Sequence, residues 1–403
     1  MARFKYEGRD RKRVRAGVVV AGNRREAIEQ LRDEGVRVIE IREIAATALQ
    51  KDIVIGNPVK RDQFIMFLRQ FSTLMRAGVT IVDSVKILSQ QVESKPLRKT
   101  LVNIDEDLRK GNSLSDSLRK HPKIFEPLTI NLIKAGELSG NIDESLDRLA
   151  TYYDKAYQTR QKVKSAMSYP LVVGVLAIGV VIFLLSSIVP MFAEMFSSFG
   201  GELPMLTQIV MMASDFTLKY WYLLVLIGFG IAIAIWMLKR NEKGKFLLDT
   251  LLLKMPIFGR ILQKSALARL TRTLSSLFSS SVPILQALTM VEKVVGNAVM
   301  SKVIIAARDN LERGGSLTEP MKDHWAFPPL IPHMILIGEQ TGSLDHMLDK
   351  VADFYEKEVE AETDRLKALI EPLMIVVLAA LVGTIVMSIM LPMFEMFQNI
   401  DNM

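Results

Sequence analysis

Cysteine is absent from all 403 residues. Disulfides and thiolate metal centres are therefore excluded. Histidine is scarce, and His121, His324, His333 and His346 show no HExxH or other paired-ligand spacing. Neither a Walker A loop nor a GxSxG elbow occurs. No GxGxxG follows a strand-like run, and Gly228 and Gly230 lie inside an apolar segment that cannot supply that fingerprint. The reading is of a protein without catalytic residues, without a cofactor and without a metal site. The N-terminal stretch "MARFKYEGRDRKR" is charged and has no apolar h-region, so no cleaved signal peptide is expected.

Charge is missing in a second, more informative way. The chain is 49% hydrophobic and 24% charged. Both shares can be high only when the two kinds of residue are segregated along the chain. Three runs are free of charge: the stretch between Lys164 and Glu194, with its heart at Leu171–Val189, then Tyr220–Leu238, then Pro372–Phe394. A helix needs roughly 20 apolar residues to cross hydrocarbon, and all three runs are read as membrane spans. None of their cores holds an Asp, Glu, Lys, Arg or His. Transport and intramembrane proteolysis usually require one.

Basic residues flank the runs on one side. Lys155, Arg160, Lys162 and Lys164 precede the first, Lys239, Arg240, Lys243 and Lys245 follow the second, and Arg365 and Lys367 precede the third. The segment Pro190–Lys219 and the C-terminal tail are poor in Lys and Arg. The positive-inside bias then puts the N-terminus and both large polar regions in the cytoplasm, and the loop and C-terminus outside. The net charge of +7 is accounted for by these flanks, and no nucleic-acid partner is expected.

The chain also repeats itself. "AGELSGNIDESLDRLATYY" (Ala135–Tyr153) returns as "IGEQTGSLDHMLDKVADFY" (Ile337–Tyr355). Gly136 and Gly338, Tyr153 and Tyr355, Pro170 and Pro372, and Pro190 and Pro392 all stand 202 positions apart. Upstream, Gly111 pairs with Gly314, and His121 with His324, at an offset of 203. This is a duplicated domain and not a short-period solenoid. Within each copy the apolar spacing is helical. Phe64, Phe67, Leu68, Phe71, Leu74 and Met75 recur at three and four residues, and Ile81, Val85 and Leu88 resume after Gly78. A helix is expected to end near Gly136. Asn141 is expected to cap the next one, with Glu144 completing a capping box. Ile142, Leu146, Leu149 and Tyr153 form that helix's inner face, matched by Leu344, Leu348, Val351 and Tyr355, and the helix runs on toward the span. Pro170 and Pro372 are read as opening their spans, and Pro190 and Pro392 as kinking or ending them.

The fold expected is mainly α, with two duplicated cytoplasmic helical-bundle domains, three transmembrane helices and a small α+β module in front. Residues 1–55 read as a β-β-α-β module and linker, 60–168 as the first helical domain, and 170–192 as the first span. A periplasmic loop at 193–219 leads to the second span at 220–238. The second helical domain follows at 262–370, then the third span at 372–394 and a tail at 395–403. Glu137 and Glu339 admit two readings. Their carboxylates can satisfy turn amides or a basic neighbour, or form a contact or cation site with Asp143, Glu144 and Asp147, of which Asp143 and Asp147 share a helix face.

Several of these segments resemble one family. "FLRQFSTLMRAG" (Phe67–Gly78), the two Gly-Glu-x-x-Gly segments in register, "LPMF" (Leu391–Phe394) and the opening "FKYEGRD" are similar to the type II secretion system F family. These are the inner-membrane platform proteins of type II secretion and type IV pilus machines, and the resemblance covers nearly the whole chain. The length and N-terminal module also fit a mannose-sensitive-haemagglutinin-type pilus. One departure is Ser281, where the first copy has Gly78. The resemblance implies a scaffold in the bacterial inner membrane, working with a cytoplasmic hexameric assembly ATPase, pilin or pseudopilin subunits and other inner-membrane assembly proteins, and forming a homo-oligomer. It makes the corners Gly136, Glu137 and Gly140, and Gly338, Glu339 and Gly342, candidates for partner contact. A transporter or channel subunit, or a membrane sensor with cytoplasmic relay domains, are the competing classes.

Overall fold

A computed structural model describes residues 2–10, 13–21, 24–33, 35–44, 58–198 and 204–401. The chain divides into two units, Met1–Pro58 and Val59–Met403. The first is the expected β-β-α-β module. Strands β1 (Ala2–Asp10) and β2 (Arg13–Ala21), helix α1 (Arg24–Asp33) and strand β3 (Arg37–Ile44) follow in order. β1 is central and antiparallel to both neighbours. Alternation along β1 turns Phe4 and Tyr6 onto one face, where they pack with Ala27, Leu31, Val36 and Ile41. Asn23, which the sequence offers as an N-cap for the helix of this module, and residues 45–57, most of the stretch Ala45–Val59 that reads as a linker, lie outside the described residues.

The second unit is helical throughout its described residues. Its first repeat comprises α2 (Arg61–Arg76), α3 (Ile81–Gln91), α4 (Lys95–Arg109), α5 (Leu114–Arg119), α6 (Pro127–Ser139) and α7 (Ile142–Phe183). A π-helical turn, Leu184–Ile188, leads from α7 into α8 (Val189–Ser198), and α9 (Met205–Arg240) and α10 (Glu242–Lys254) follow. The second repeat comprises α11 (Phe258–Phe278), α12 (Ile284–Val294), α13 (Ala298–Glu312), α14 (Glu319–Lys322), α15 (Leu330–Thr341) and α16 (Leu344–Asp401). The apolar faces read from the sequence are the ones that pack. Phe64, Phe67, Leu68 and Phe71 of α2 meet Leu146, Leu149 and Tyr153 of α7 in a core that extends without a break into the second repeat. Equivalent bonds recur across the duplication. Ser72 Oγ donates to the Asp143 carbonyl, and Ser275 Oγ to the Asp345 carbonyl. Gly78 is left-handed at φ 83°, and Ser281 holds the same conformation at φ 57°. The serine does so at a steric cost of about 1–2 kcal/mol that glycine avoids.

Among the described residues two helices are long and apolar enough to cross a membrane, Ile142–Met195 and Leu344–Leu391. α9 is a third if its halves, Met205–Tyr220 and Val225–Arg240, inclined at 63°, count as one span. Segment 193–219 is not an open loop, because helix occupies it up to Ser198 and again from Met205. The tail is helical to Asp401. Pro170 and Pro372 sit differently from expectation, and of the two readings for Pro190 and Pro392 the ending of the helix does not hold. Pro170 and Pro372 lie well inside α7 and α16 and open no helix. Helix likewise continues through Pro190 and Pro392.

Proline has no N–H, so each of these continuations leaves a carbonyl without its helical donor. In hydrocarbon such a group needs a substitute. The π turn pairs each amide with the carbonyl five residues back, as the Val189 amide does with Leu184. Pro190 would be next, and its missing partner is Leu185. The Ser214 hydroxyl of α9 donates to that Leu185 carbonyl at 2.5 Å. Pro392, in α-helical geometry, leaves the Ser388 carbonyl unpaired, and the Thr207 hydroxyl of α9 donates to it at 2.6 Å. Ser214, Thr207 and Ser388 are buried, beside Val189, Val210 and Ile385. One helix thus fills the equivalent gap in both repeats. Thr207→Val is expected to destabilise the detergent-solubilised protein by about 1 kcal/mol. The same change in a Pro392→Ala background, where an amide is restored, is expected to cost less. Equal costs in a double-mutant cycle of thermal unfolding would refute the pairing.

Candidate functional site

Each Gly-Glu-x-x-Gly segment builds the corner between two helices. The helix does not stop at Gly136. α6 runs on to Ser139 and ends at Gly140, which is left-handed at φ 78°. The Asn141 amide donates back to the Gly136 carbonyl at 2.9 Å, closing a Schellman-type turn. Gly342, at φ 69°, ends α15 in the same way, with the Ser343 amide on the Gly338 carbonyl at 3.1 Å. The inner glycines serve a different purpose. A Cβ on Gly136 would stand 2.5 Å from Ser145 Oγ, and one on Gly338 would stand 2.8 Å from Leu344 Cα. Only glycine lets each short helix approach the start of its long neighbour this closely.

The expected capping box at Asn141 does not form. Its side chain makes no capping bond. A box needs the Asn141 amide free for Glu144, but that amide is committed to Gly136. Glu144 instead pairs with Arg148 at 2.6 Å.

Glu137 points away from the acidic face of α7. One of its carboxylate oxygens accepts the Leu114 amide at 2.5 Å and the other accepts the Ser115 amide at 3.1 Å. These are orphan donors at the start of α5, where a carboxylate is favoured. Glu339 repeats the arrangement, accepting the Leu317 amide at 3.3 Å and the Ser316 hydroxyl at 3.2 Å. Asp147 faces Arg76 at 3.7 Å. Among the described residues no cluster of three or more carboxylates and histidines could hold a metal ion. Both glutamates hold their corners to the preceding short helix. At the solvent side of the first corner Leu138 is 81% exposed.

A second constellation lies where α7 and α16 run side by side. It was not singled out from the sequence. Arg272 of α11, with its side chain nearly buried, pairs with Asp349, Asp353 and Glu356 of α16. Lys155 of α7 reaches the same Asp353 at 2.5 Å and Glu356 at 3.3 Å. Further along, Lys162 meets Glu360 at 2.6 Å, and Lys264 meets Glu358 and Glu362 at 2.6 and 2.7 Å. The repeat preserves part of this, since Arg69 and Asp154, the counterparts of Arg272 and Glu356, also pair, at 2.8 Å. A signal was present in the sequence. Asp349, Asp353, Glu356 and Glu360 recur at four, three and four residues on one face of α16. Their basic partners sit on two other helices, which only the fold brings near.

These pairs set the protonation of the neck. Burial disfavours the charged form of Asp353, but the Lys155 ammonium and the Arg272 guanidinium outweigh it and hold the carboxyl below its ordinary value. The hydrogen bond from Lys264 lowers Glu362 in the same direction. A depressed carboxyl contributes stability that is complete above its unfolded pKa of about 4 and is lost as pH falls through the folded one. The melting temperature is therefore expected to drop on acidification below about pH 4. The drop is expected to be shallower in a Lys155→Met, Lys264→Met variant. Separately, Glu137→Ala leaves two helix-start amides without an acceptor and is expected to cost about 1–3 kcal/mol, measured by unfolding in detergent. A neutral outcome would deny Glu137 its capping role.

The comparisons with known proteins agree with this geometry. The family model "Type II secretion system (T2SS), protein F" matches residues 67–190 and again 270–392, one match per repeat. The model "Type II secretion system protein F, N-terminal domain" matches residues 1–42. The chain is 39% identical to the type IV pilus assembly protein PilC of Thermus thermophilus over 99% of each chain. It is 39% identical to the protein of that name in Pseudomonas aeruginosa, over 91% of this chain and 97% of the relative. It is 32% identical to the type II secretion system protein F of Vibrio cholerae over 98% of each. Two matches to one model, a third over the N-terminal module and relatives aligned nearly end to end place the chain in the type II secretion system protein F family.

Proposed function

We propose that this chain is the inner-membrane platform of a type IV pilus or type II secretion machine. In this reading it couples a cytoplasmic hexameric assembly ATPase to the extraction and polymerisation of pilin or pseudopilin subunits. The observation that carries the reading is helix continuity. Ile142–Met195 and Leu344–Leu391 each run from a Gly-Glu corner into the apolar segment without an intervening loop. At 1.5 Å per residue each extends about 70–80 Å. The Lys155 and Lys162 pairs tie the two repeats together at the neck, and the Arg272 and Lys264 pairs brace α16 against α11 within the second repeat. Force applied at the corners would then reach the bilayer through stiff elements.

The basic flanks support an orientation with both helical repeats in the cytoplasm, on the side of the motor, and the C-terminus in the periplasm. The identities favour the pilus machine, at 39% for the relatives named for pilus assembly against 32% for the secretion protein of Vibrio cholerae. The platform would work as a homo-oligomer beside other inner-membrane assembly proteins.

Within this reading the corners are the ATPase contact. Glu137 and Glu339 are occupied internally, so they shape the surface, and the exposed Leu138 supplies contact area. A photo-crosslinking residue at position 138 is expected to capture the assembly ATPase in cells. Leu138→Asp is expected to abolish that crosslink and the fibres or secretion, while the protein remains folded in the membrane. Normal fibres and secretion in a strain deleted for this chain would overturn the platform reading. An intact machine with Leu138→Asp would move the contact elsewhere.

A further inference from the structure

We propose that the corner joining α10 to α11 is a lipid-binding surface that seats on the anionic headgroups of the leaflet at which α9 leaves the membrane. This rests on α9 and α16 being spans and does not depend on coupling to an ATPase.

α10 is tied to one span directly and to the other through α11. Its N-terminal turn begins two residues after Arg240, the end of α9. There Gly244 lies so close to the span that a Cβ would stand 2.6 Å from the Leu238 carbonyl oxygen. Its other end passes into α11, where Lys264 bonds Glu358 and Glu362 of α16, and Arg260 acts electrostatically on Glu362. Glu362 stands shortly before the apolar run of α16 that opens at Pro372. In this proposal the short helix, packed on the end of α9 and linked through α11 to α16, lies along the bilayer surface.

Its protein-facing side is already satisfied. Leu253 is buried, and Asp249 accepts the Ala298 amide at the start of α13 at 2.7 Å. The opposite side is apolar and open. Leu247, Leu251, Met255, Ile257, Phe258 and Leu262 are all exposed, with Leu247 and Leu251 each more than 60% so. Leu247 and Leu251 share one face of α10, four residues apart, and Phe258 and Leu262 share one face of α11, with Met255 and Ile257 exposed at the corner between them. An exposed apolar face on a short helix that directly follows a span is the pattern of an interfacial helix.

The rim is basic. Lys239, Lys243 and Lys245 form no ion pair among the described residues. The Arg240 guanidinium lies over the Trp236 ring at 4.3 Å, and the Lys254 ammonium over the exposed Trp325 ring at 5.5 Å. Tryptophan beside Lys and Arg is the composition of a headgroup layer. The tip itself is strained. Ile257 has φ 67° and ψ −64°, a γ-turn closed by the Phe258 amide on the Pro256 carbonyl at 2.8 Å. This is a region that β-branched residues avoid. Gly259 locks the turn, since a Cβ there would stand 2.1 Å from the Leu253 carbonyl oxygen. The fold keeps this strain while directing Ile257 and Phe258 outward, which gains nothing in water and buries both in a bilayer.

The absence of cysteine makes the test direct. Full-length Leu251→Cys, Phe258→Cys and, as a control on exposed α4, Val102→Cys are each labelled with a fluorophore. They are placed in nanodiscs of phosphatidylcholine alone or with phosphatidylglycerol. Lipids brominated in the acyl chain are expected to quench the labels at 251 and 258 and to leave the label at 102 unchanged. Quenching is expected to deepen with phosphatidylglycerol, and Lys243→Glu with Lys245→Glu is expected to remove that increment. If aqueous iodide reaches position 251 as readily as 102 in both lipids, the face is open to water, free for a protein partner, and the proposal is wrong. Lipid quenching indifferent to phosphatidylglycerol and to the lysine pair would overturn the anionic preference. Neither readout involves fibre assembly, so the platform reading stands or falls apart from it.

Discussion

A helix that crosses hydrocarbon must keep every backbone carbonyl paired, because no water is there to replace a missing donor. The rest of this molecule depends on how that constraint is met at two prolines. Pro190 and Pro392 remove equivalent amides from the two long helices, and α9 returns a hydroxyl to each gap, from Ser214 and from Thr207. The helices can then continue through the prolines instead of breaking. Continuity past Pro170 and Pro372 joins each corner to its apolar segment, and the two hydroxyls carry the helices on beyond it. The π turn at Leu184–Ile188 belongs to the same solution, since it shifts the unpaired carbonyl of the first repeat by one residue onto Leu185.

The neck complements this arrangement on the aqueous side. Two long helices lying together would otherwise be free to slide or splay below the membrane. Arg272 bridges three carboxylates of α16, and Lys155 joins α7 to two of those same carboxylates. Shared partners make this a network, in which one ordered side chain reduces the entropic cost of ordering the next. Isolated surface pairs such as Arg119 with Asp116 contribute little by comparison.

Much of the fold was legible in the sequence because it rests on periodicity and repetition. The duplication, the inner faces of α2 and α7, and the order of the N-terminal module follow from apolar spacing and turn residues. What was misread turned on partners distant in sequence. Asn141 has the composition of a cap, yet its amide is taken by Gly136. Gly136 looks like a helix end, yet the terminus belongs to Gly140, and Gly136 is glycine because Ser145 lies against it. The four prolines have the spacing of span boundaries, and nothing local reveals that α9 supplies donors for two of them. At the candidate site the bland alternative for Glu137 proved the informative one. Its target amides at Leu114 and Ser115 lie more than twenty residues upstream. Ser281 shows the opposite case, where the turn survives the loss of glycine because the surrounding repeat holds it.

The service α9 performs for both prolines bears on how such a chain could arise. Each duplicated half carries its own proline, but the donors for both reside on a helix that has no counterpart in the duplication. Two copies joined head to tail without that helix would leave both gaps in the hydrogen-bond ladder open. The intervening helix remedies both defects at once. A single half-length repeat would lack that donor within its own chain.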